Sequence, residues 1–242
     1  MKLQLSLKAG MIKTIVFIAI IMIVGVSTTK AQQPKDSVMI KLIALRDDFV
    51  GKIKAMGYPP TLKAPEVIMD NPRSFGNYDN ETNILHTGDW KTLPPQLQAL
   101  FENAAKGTGS GMTGERYFEL SAHQWIFIHE LGHWWRACQH QTAGPYENEK
   151  AANRIATAYW RERDPAFYDF KLKGFQHIVS TFPNPVPAGQ SKEKYLDENY
   201  EKLPGASAYT WYQAIMIVEA SNEKPIVTFK QAIARSGKAS DQ

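Results

Sequence analysis

The sequence predicts a single α+β domain, with a small antiparallel sheet early in the chain and helices after it. Three observations predict this. Short extended stretches occupy residues 66–87, separated by turn residues, whereas from residue 117 onward apolar residues recur at helical spacing. Proline and glycine mark the points where one pattern gives way to the other. A length of 242 residues with 43% apolar content is enough for one sizeable core.

Residues 1–31 read as a signal peptide. Thr14–Val26 is a short apolar run after a lysine-bearing start, and small and polar residues ending in Thr29, Lys30 and Ala31 follow it. The run falls short of the ~20 residues a spanning helix needs, and no later segment approaches that length. Cleavage gives a secreted or periplasmic protein; an uncleaved amino-terminal anchor is the alternative. If Met11 is the true start, Lys13 still supplies the basic flank. Without the four lysines of this leader, 24 basic residues face 24 acidic ones. A neutral body has no electrostatic footprint for nucleic acid or an anionic membrane, so neither is expected as a partner beyond the leader itself. Cys138 is the only cysteine, which excludes an intramolecular disulfide, and it is expected as a small buried residue.

Residues 32–242 form the domain. Val38, Leu42, Leu45, Phe49 and Ile53 recur at helical spacing across Ser37 to Met56, and Pro59 and Pro60 end that helix. Glu66 to Met69 and Ser74 to Thr87 are extended, with Asp79-Asn80 as the turn. Pro94 and Pro95 open a helix to Ala105. The glycine-rich stretch Lys106 to Gly114 is flexible: an internal loop or lid beside a cleft, or a hinge. Helices are expected over Tyr117 to Gln139, Pro145 to Arg163 and Pro165 to Phe182. After a proline-rich loop at Pro183 to Gly189, two more follow around Ala206 to Ala220 and Val227 to Arg235.

The strongest chemical signal is His129-Glu130-Leu131-Gly132-His133. Histidines four apart lie on one helix face a turn apart, so both imidazoles can converge on one ion, and the glutamate between them is placed to take a proton from a metal-bound water. Residues 124–128 before the motif and Leu131, Trp134 and Trp135 within and after it make this a buried helix, where two histidines and a glutamate are costly unless something satisfies them. Gly132 is a second signal: glycine costs ~1 kcal/mol relative to alanine inside a helix and is tolerated where another backbone comes close.

Catalytic zinc takes three protein ligands and keeps a fourth position for water. His140 lies on nearly the same face as His133 but ~10 Å along the axis, out of reach without a helix break. The next helix, opened by Gly144-Pro145, carries Glu149, Ala152, Asn153, Ala156 and Trp160 along one stripe. Glu149 is the expected third ligand, with Glu147 as runner-up. Asn153, one turn beyond, can fix the tautomer of a ligand histidine.

At these residues the chain resembles the gluzincin metallopeptidases. His129-Glu130-Leu-Gly-His133 and Glu149-Lys-Ala-Ala152-Asn153 match the family's His-Glu-x-x-His helix and its following Glu-x-x-Ala-Asn/Asp helix, with short spacing as in minimal members. Arg136 and Gln139 occupy the positions where metzincins carry Gly and His. The likeness covers residues 117–163 and implies a zincin-like fold, a metal-binding core there and a helical part over 165–242. It further implies Zn2+ as cofactor, a peptide or protein substrate, Glu130 as general base, and an extended edge strand, here Asn83 to Thr87, that holds substrate. The oxyanion donor stays open among Tyr209, Tyr212, His86 and His123. The rival reading is an inactive secreted zinc-binding protein of the same fold, acting as a binding or scaffold module.

Overall fold

The computed structural model describes residues 37–72, 74–203 and 205–236; the leader expected over residues 1–31 lies outside them. Helix α1 (Ser37–Ala55) buries Leu42, Leu45, Phe49, Val50 and Ile53, the stripe its spacing creates. Strands β1 (Glu66–Met69), β2 (Gly76–Asp79) and β3 (Ile84–Thr87) form one small sheet in the order β1-β3-β2. Strand β2 pairs with β3 antiparallel through a turn in which Asp79 Oδ1 accepts from Glu81 N at 2.8 Å and Asn83 takes a left-handed φ of 56°. Strand β1, however, pairs with β3 in parallel, Glu66 opposite Ile84 and Met69 opposite Thr87.

The sheet is therefore mixed rather than antiparallel. Beyond β1 the chain stays bonded to β3 through Asp70 N and Asn71 N, both donating to Thr87 O. Asn71, at φ 55°, then turns it past the end of β3 to the far side. A second correction follows from the same topology. Strand β3 is central, so the edge strand beside the helix that carries His129 and His133 is β2, not Asn83 to Thr87. Gly76 allows the approach, because a Cβ there would lie 2.4 Å from Ile126 Cγ2.

Helices α2 (Pro95–Gly107) and α3 (Gly114–Phe118) form a hairpin joined by the glycine-rich stretch. Gly114 packs directly on Glu102, where a Cβ would come within 2.7 Å of the backbone N. The stretch is a helix connector, and none of its residues lines the cleft described below. The expected continuous helix from Tyr117 to Gln139 is instead three pieces: α3, a π-helix over Glu119–Ile126, and α4 (Phe127–Cys138). The Phe127 N–H reaches back five residues to Ala122 O, so one turn holds an extra residue.

Helices α5 (Pro145–Arg163) and α6 (Pro165–Thr181) start on prolines, as the sequence predicts, and Asp164 caps α6 by accepting from Phe167 N at 3.0 Å. Helix α7 (Lys192–Asn199) has no counterpart in the sequence reading. It is followed by a 3-10 turn at Tyr200–Lys202, α8 (Gly205–Asn222) and α9 (Phe229–Ser236).

Helix α4 is the centre of the core. Phe127, Ile128, Leu131, Trp134, Trp135 and Cys138 are all buried, and a large apolar side chain buried in this way contributes ~1.5–3 kcal/mol. Its rotation is fixed by two indoles: Trp134 Nε1 donates to Lys63 O at 3.0 Å and Trp135 Nε1 to Ile233 O at 3.1 Å. Among the described residues no helix is long and apolar enough to cross a membrane.

Candidate metal centre

Helix α5 lies against α4 with nothing between their backbones at one point. A Cβ on Gly132 would stand 3.0 Å from Ala152 Cα and 3.2 Å from Ala152 Cβ, which is why glycine occupies that position. This contact lets a carboxylate one turn before Ala152 reach the imidazoles that flank Gly132. His129 Nε2 lies 3.0 Å from His133 Nε2 and 3.2 Å from Glu149 Oε2, and His133 Nε2 lies 3.8 Å from Glu149 Oε2. The point equidistant from the three atoms is about 2.0 Å from each, the length of a metal bond to imidazole nitrogen or carboxylate oxygen. His129, His133 and Glu149 would hold a cation as its three protein ligands. The group, with His129 and Glu149 buried, can hold a metal ion.

The residues behind the three donors orient them. Asn153 Oδ1 accepts from His129 Nδ1 at 3.0 Å, which leaves the Nε2 lone pair aimed at the shared point. Gln213, on α8, accepts from Asn153 Nδ2 at 2.7 Å and donates its own Nε2 to Glu149 Oε2 at 2.7 Å. One amide thus ties the histidine's partner to the carboxylate ligand. Tyr200 donates its hydroxyl to Glu149 Oε1 at 2.7 Å, leaving Oε2 to face the imidazoles. Beside His133 stands Asn148, whose Oδ1 accepts from Arg136 Nε at 2.8 Å.

Charge follows geometry. Burial alone would raise the Glu149 carboxyl, but hydrogen bonds and charge from His129 and His133 hold it well below the usual range. Burial pulls the His133 imidazole down, yet Glu149 and, more weakly, Glu130 raise it to about 9. A cation bound through His133 Nε2 would displace the imidazole's extra proton. Burial and the Glu149 charge push the Tyr200 and Tyr209 phenols far up, so both remain hydrogen-bond donors.

Glu130 projects from the same helix toward β2. Its Oε2 accepts from Tyr78 N at 2.9 Å, so the backbone groups of Tyr78, and by the alternation of an antiparallel ladder those of Gly76, face away from β3 along the outer edge, where Ser74 Oγ donates to Gly76 O. Phe75, at a left-handed φ of 65°, seats its ring 5.0 Å from that of Phe101 and fixes where β2 begins. A cleft of about 290 Å³ runs between β2 and α4, lined among others by Tyr78, Glu130, His133, Glu149, Tyr200 and Tyr209.

The other candidates separate clearly. Glu147 is exposed and pairs with Lys150 at 3.1 Å, away from the imidazoles. His140 sits past the end of α4 in a left-handed conformation, exposed. Tyr212 is buried and donates to Lys192 O, His86 pairs with Asp70 Oδ2 at 2.7 Å, and His123 Nε2 bonds Gly88 O at 2.7 Å. None of these three lines the cleft, whereas Tyr209 does. Tyr200 and Gln213 were not anticipated. Tyr200 follows a short helix with no sequence signal, and only the four-residue step from Tyr209 to Gln213 on α8 hints that Gln213 shares the cleft-facing stripe. No protein family, curated protein or solved structure matches this chain.

Proposed function

We propose that the chain is a secreted zinc-dependent metallopeptidase of gluzincin type with a zincin-like fold, hydrolysing peptide bonds in a peptide or protein substrate. The observation that carries the reading is the convergence of His129, His133 and Glu149 on one point at bonding distance, with Glu130 lining the same cleft. Zinc bound there would lower the pKa of its water to ~7 and polarise the substrate carbonyl. The chain's own residues do the rest. Tyr78 N–H holds Glu130 Oε2, leaving Oε1 to accept the proton of the attacking water and deliver it to the leaving amine. Tyr209, which stays protonated, is the donor for the developing oxyanion, while the Tyr200 hydroxyl keeps donating to Glu149 Oε1. An extended peptide docks along the outer edge of β2, where the outward Gly76 N–H and Tyr78 C=O offer main-chain hydrogen bonds that supply affinity without regard to sequence.

The test is metal analysis of purified protein together with hydrolysis of casein or a peptide library. Glu130→Gln should lower turnover by at least ~100-fold while about one zinc per chain is retained. Loss of zinc in that variant would make Glu130 a ligand. Zinc-loaded native protein that cleaves no peptide would favour the inactive binding module instead.

A further inference from the structure

Four non-glycine residues among those described have a left-handed backbone. Asn71, Asn83 and His140 are of types that tolerate it, and Phe75, at φ 65°, is not. A bulky residue persists there only where its surroundings over-determine it, and such outliers cluster at functional sites. Here the surroundings do so. Phe75 N donates to Pro72 O at 3.0 Å and Thr87 Oγ1 donates to Phe75 O at 3.4 Å. The ring stands edge-on to Phe101 at 5.0 Å and to Phe118 at 6.2 Å, one on α2 and the other on α3, so a single side chain fastens the start of β2 to that hairpin.

The residues that follow grip Glu130. A Cβ on Gly76 would stand 3.2 Å from Glu130 Cγ and 3.5 Å from its Oε1, and Tyr78 N donates to Oε2 at 2.9 Å. We infer that Phe75 is a positioning residue for Glu130: anchored on Phe101 and Phe118, it sets where β2 meets α4 and so the direction of the carboxylate. Its bearing on turnover rests on the metallopeptidase reading. The strand needs such an anchor. The alternation that turns Gly76 and Tyr78 outward leaves Asn77 and Asp79 to bond β3, a short ladder that holds the start of β2 loosely. Glycine would adopt the same φ without steric cost, but it has no ring to hold the strand to the hairpin.

The experiment compares Phe75→Gly, Phe75→Tyr and Phe101→Leu with native protein, all as full zinc-loaded chains. Three quantities are read: exchange of the Tyr78 amide proton by NMR, zinc affinity by chelator competition, and kcat/KM on a cleaved library peptide. In Phe75→Gly, and equally in Phe101→Leu, which lies outside the cleft, the Tyr78 amide should exchange about tenfold faster and kcat/KM should fall about tenfold. Zinc affinity should stay within about twofold, because the ligands stand on α4 and α5. Phe75→Tyr keeps the ring and should behave as native protein. Native Tyr78 exchange and turnover in Phe75→Gly overturn the inference, because the turn alone then suffices. Exchange accelerated equally at Tyr78 and along α4 also overturns it, since the ring then serves only stability. Native protein that cleaves no peptide overturns the peptidase reading, whereas faster Tyr78 exchange in Phe75→Gly and Phe101→Leu still upholds the hold on Glu130.

Discussion

The contact between Gly132 and Ala152 makes one substitution unusually informative. In Gly132→Ala the new methyl would meet Ala152 Cα at 3.0 Å, Cβ at 3.2 Å and O at 3.3 Å. Carbon atoms in contact prefer ~3.5–4.0 Å, so α4 and α5 must part by roughly 0.5 Å. Overpacking of that size costs ~1–3 kcal/mol, and the better helix propensity of alanine returns ~1 kcal/mol, so the apo protein loses about 0–2 kcal/mol and still folds. The ligand triangle is less tolerant. Glu149 sits one turn from Ala152 and moves with it, widening separations of 3.2 and 3.8 Å to the imidazoles, whereas metal bonds accept only about 0.2 Å. Zinc affinity should fall ~10–100-fold. Thermal melts of apo protein and chelator competition for zinc measure the two effects separately. Adding Ala152→Gly removes the Cβ contact but not the Cα one and should recover part of the affinity. Zinc affinity unchanged within about twofold in Gly132→Ala would refute the argument that this backbone contact sets the ligand geometry.

Glu149→Ala should lose zinc on dialysis while Glu147→Ala retains it, as metal analysis of both would show; the reverse result exchanges their roles. Gln213→Ala removes the link between Asn153 and Glu149 and should weaken zinc binding ~10–100-fold in chelator competition, with little change in the apo melting temperature. Lys171 gives a pH prediction away from this cluster. It is buried beside the Tyr117 and Phe175 rings, donates to Ser121 Oγ at 2.9 Å, and burial lowers its ammonium to about 8 from an ordinary 10.5. The unfolded chain therefore binds more protons between those values, and folding gains stability as pH rises through them. The gap corresponds to about 3 kcal/mol opposing folding at neutral pH. Lys171→Met should melt higher than native protein at pH 7, with the difference shrinking by pH 10.5; a difference independent of pH sinks the assignment.

What was legible in the sequence was what short covalent spacing dictates. Two histidines four apart share a helix face wherever that helix goes, and Gly132 in an otherwise bulky, apolar segment announced a close backbone neighbour. Pro145 and Pro165 marked helix starts because their fixed φ and missing N–H suit the first turn. Distant pairing was not legible. Nothing in Glu66–Met69 states whether it runs with or against β3, since the alternation of its side chains is the same in both cases. The π segment was hidden too, because Leu120, Ala122 and Trp125 keep an apolar face that an ordinary helix would also show. Tyr200 reaches Glu149 from 51 residues downstream, a distance over which local pattern carries no information.

The extra residue stored in Glu119–Ile126 has a genetic consequence. Loss of a single codon there would let the coil rewind to ordinary pitch and swing everything upstream by about 100° relative to Phe127–Cys138. The phenyl rings of Tyr117 and Phe118 would then face away from the aromatic cluster they now join. Length in this stretch is thus constrained independently of composition, and in-frame indels between residues 119 and 126 should be far less tolerated than point changes at the half-buried Glu119, Ser121 and Gln124.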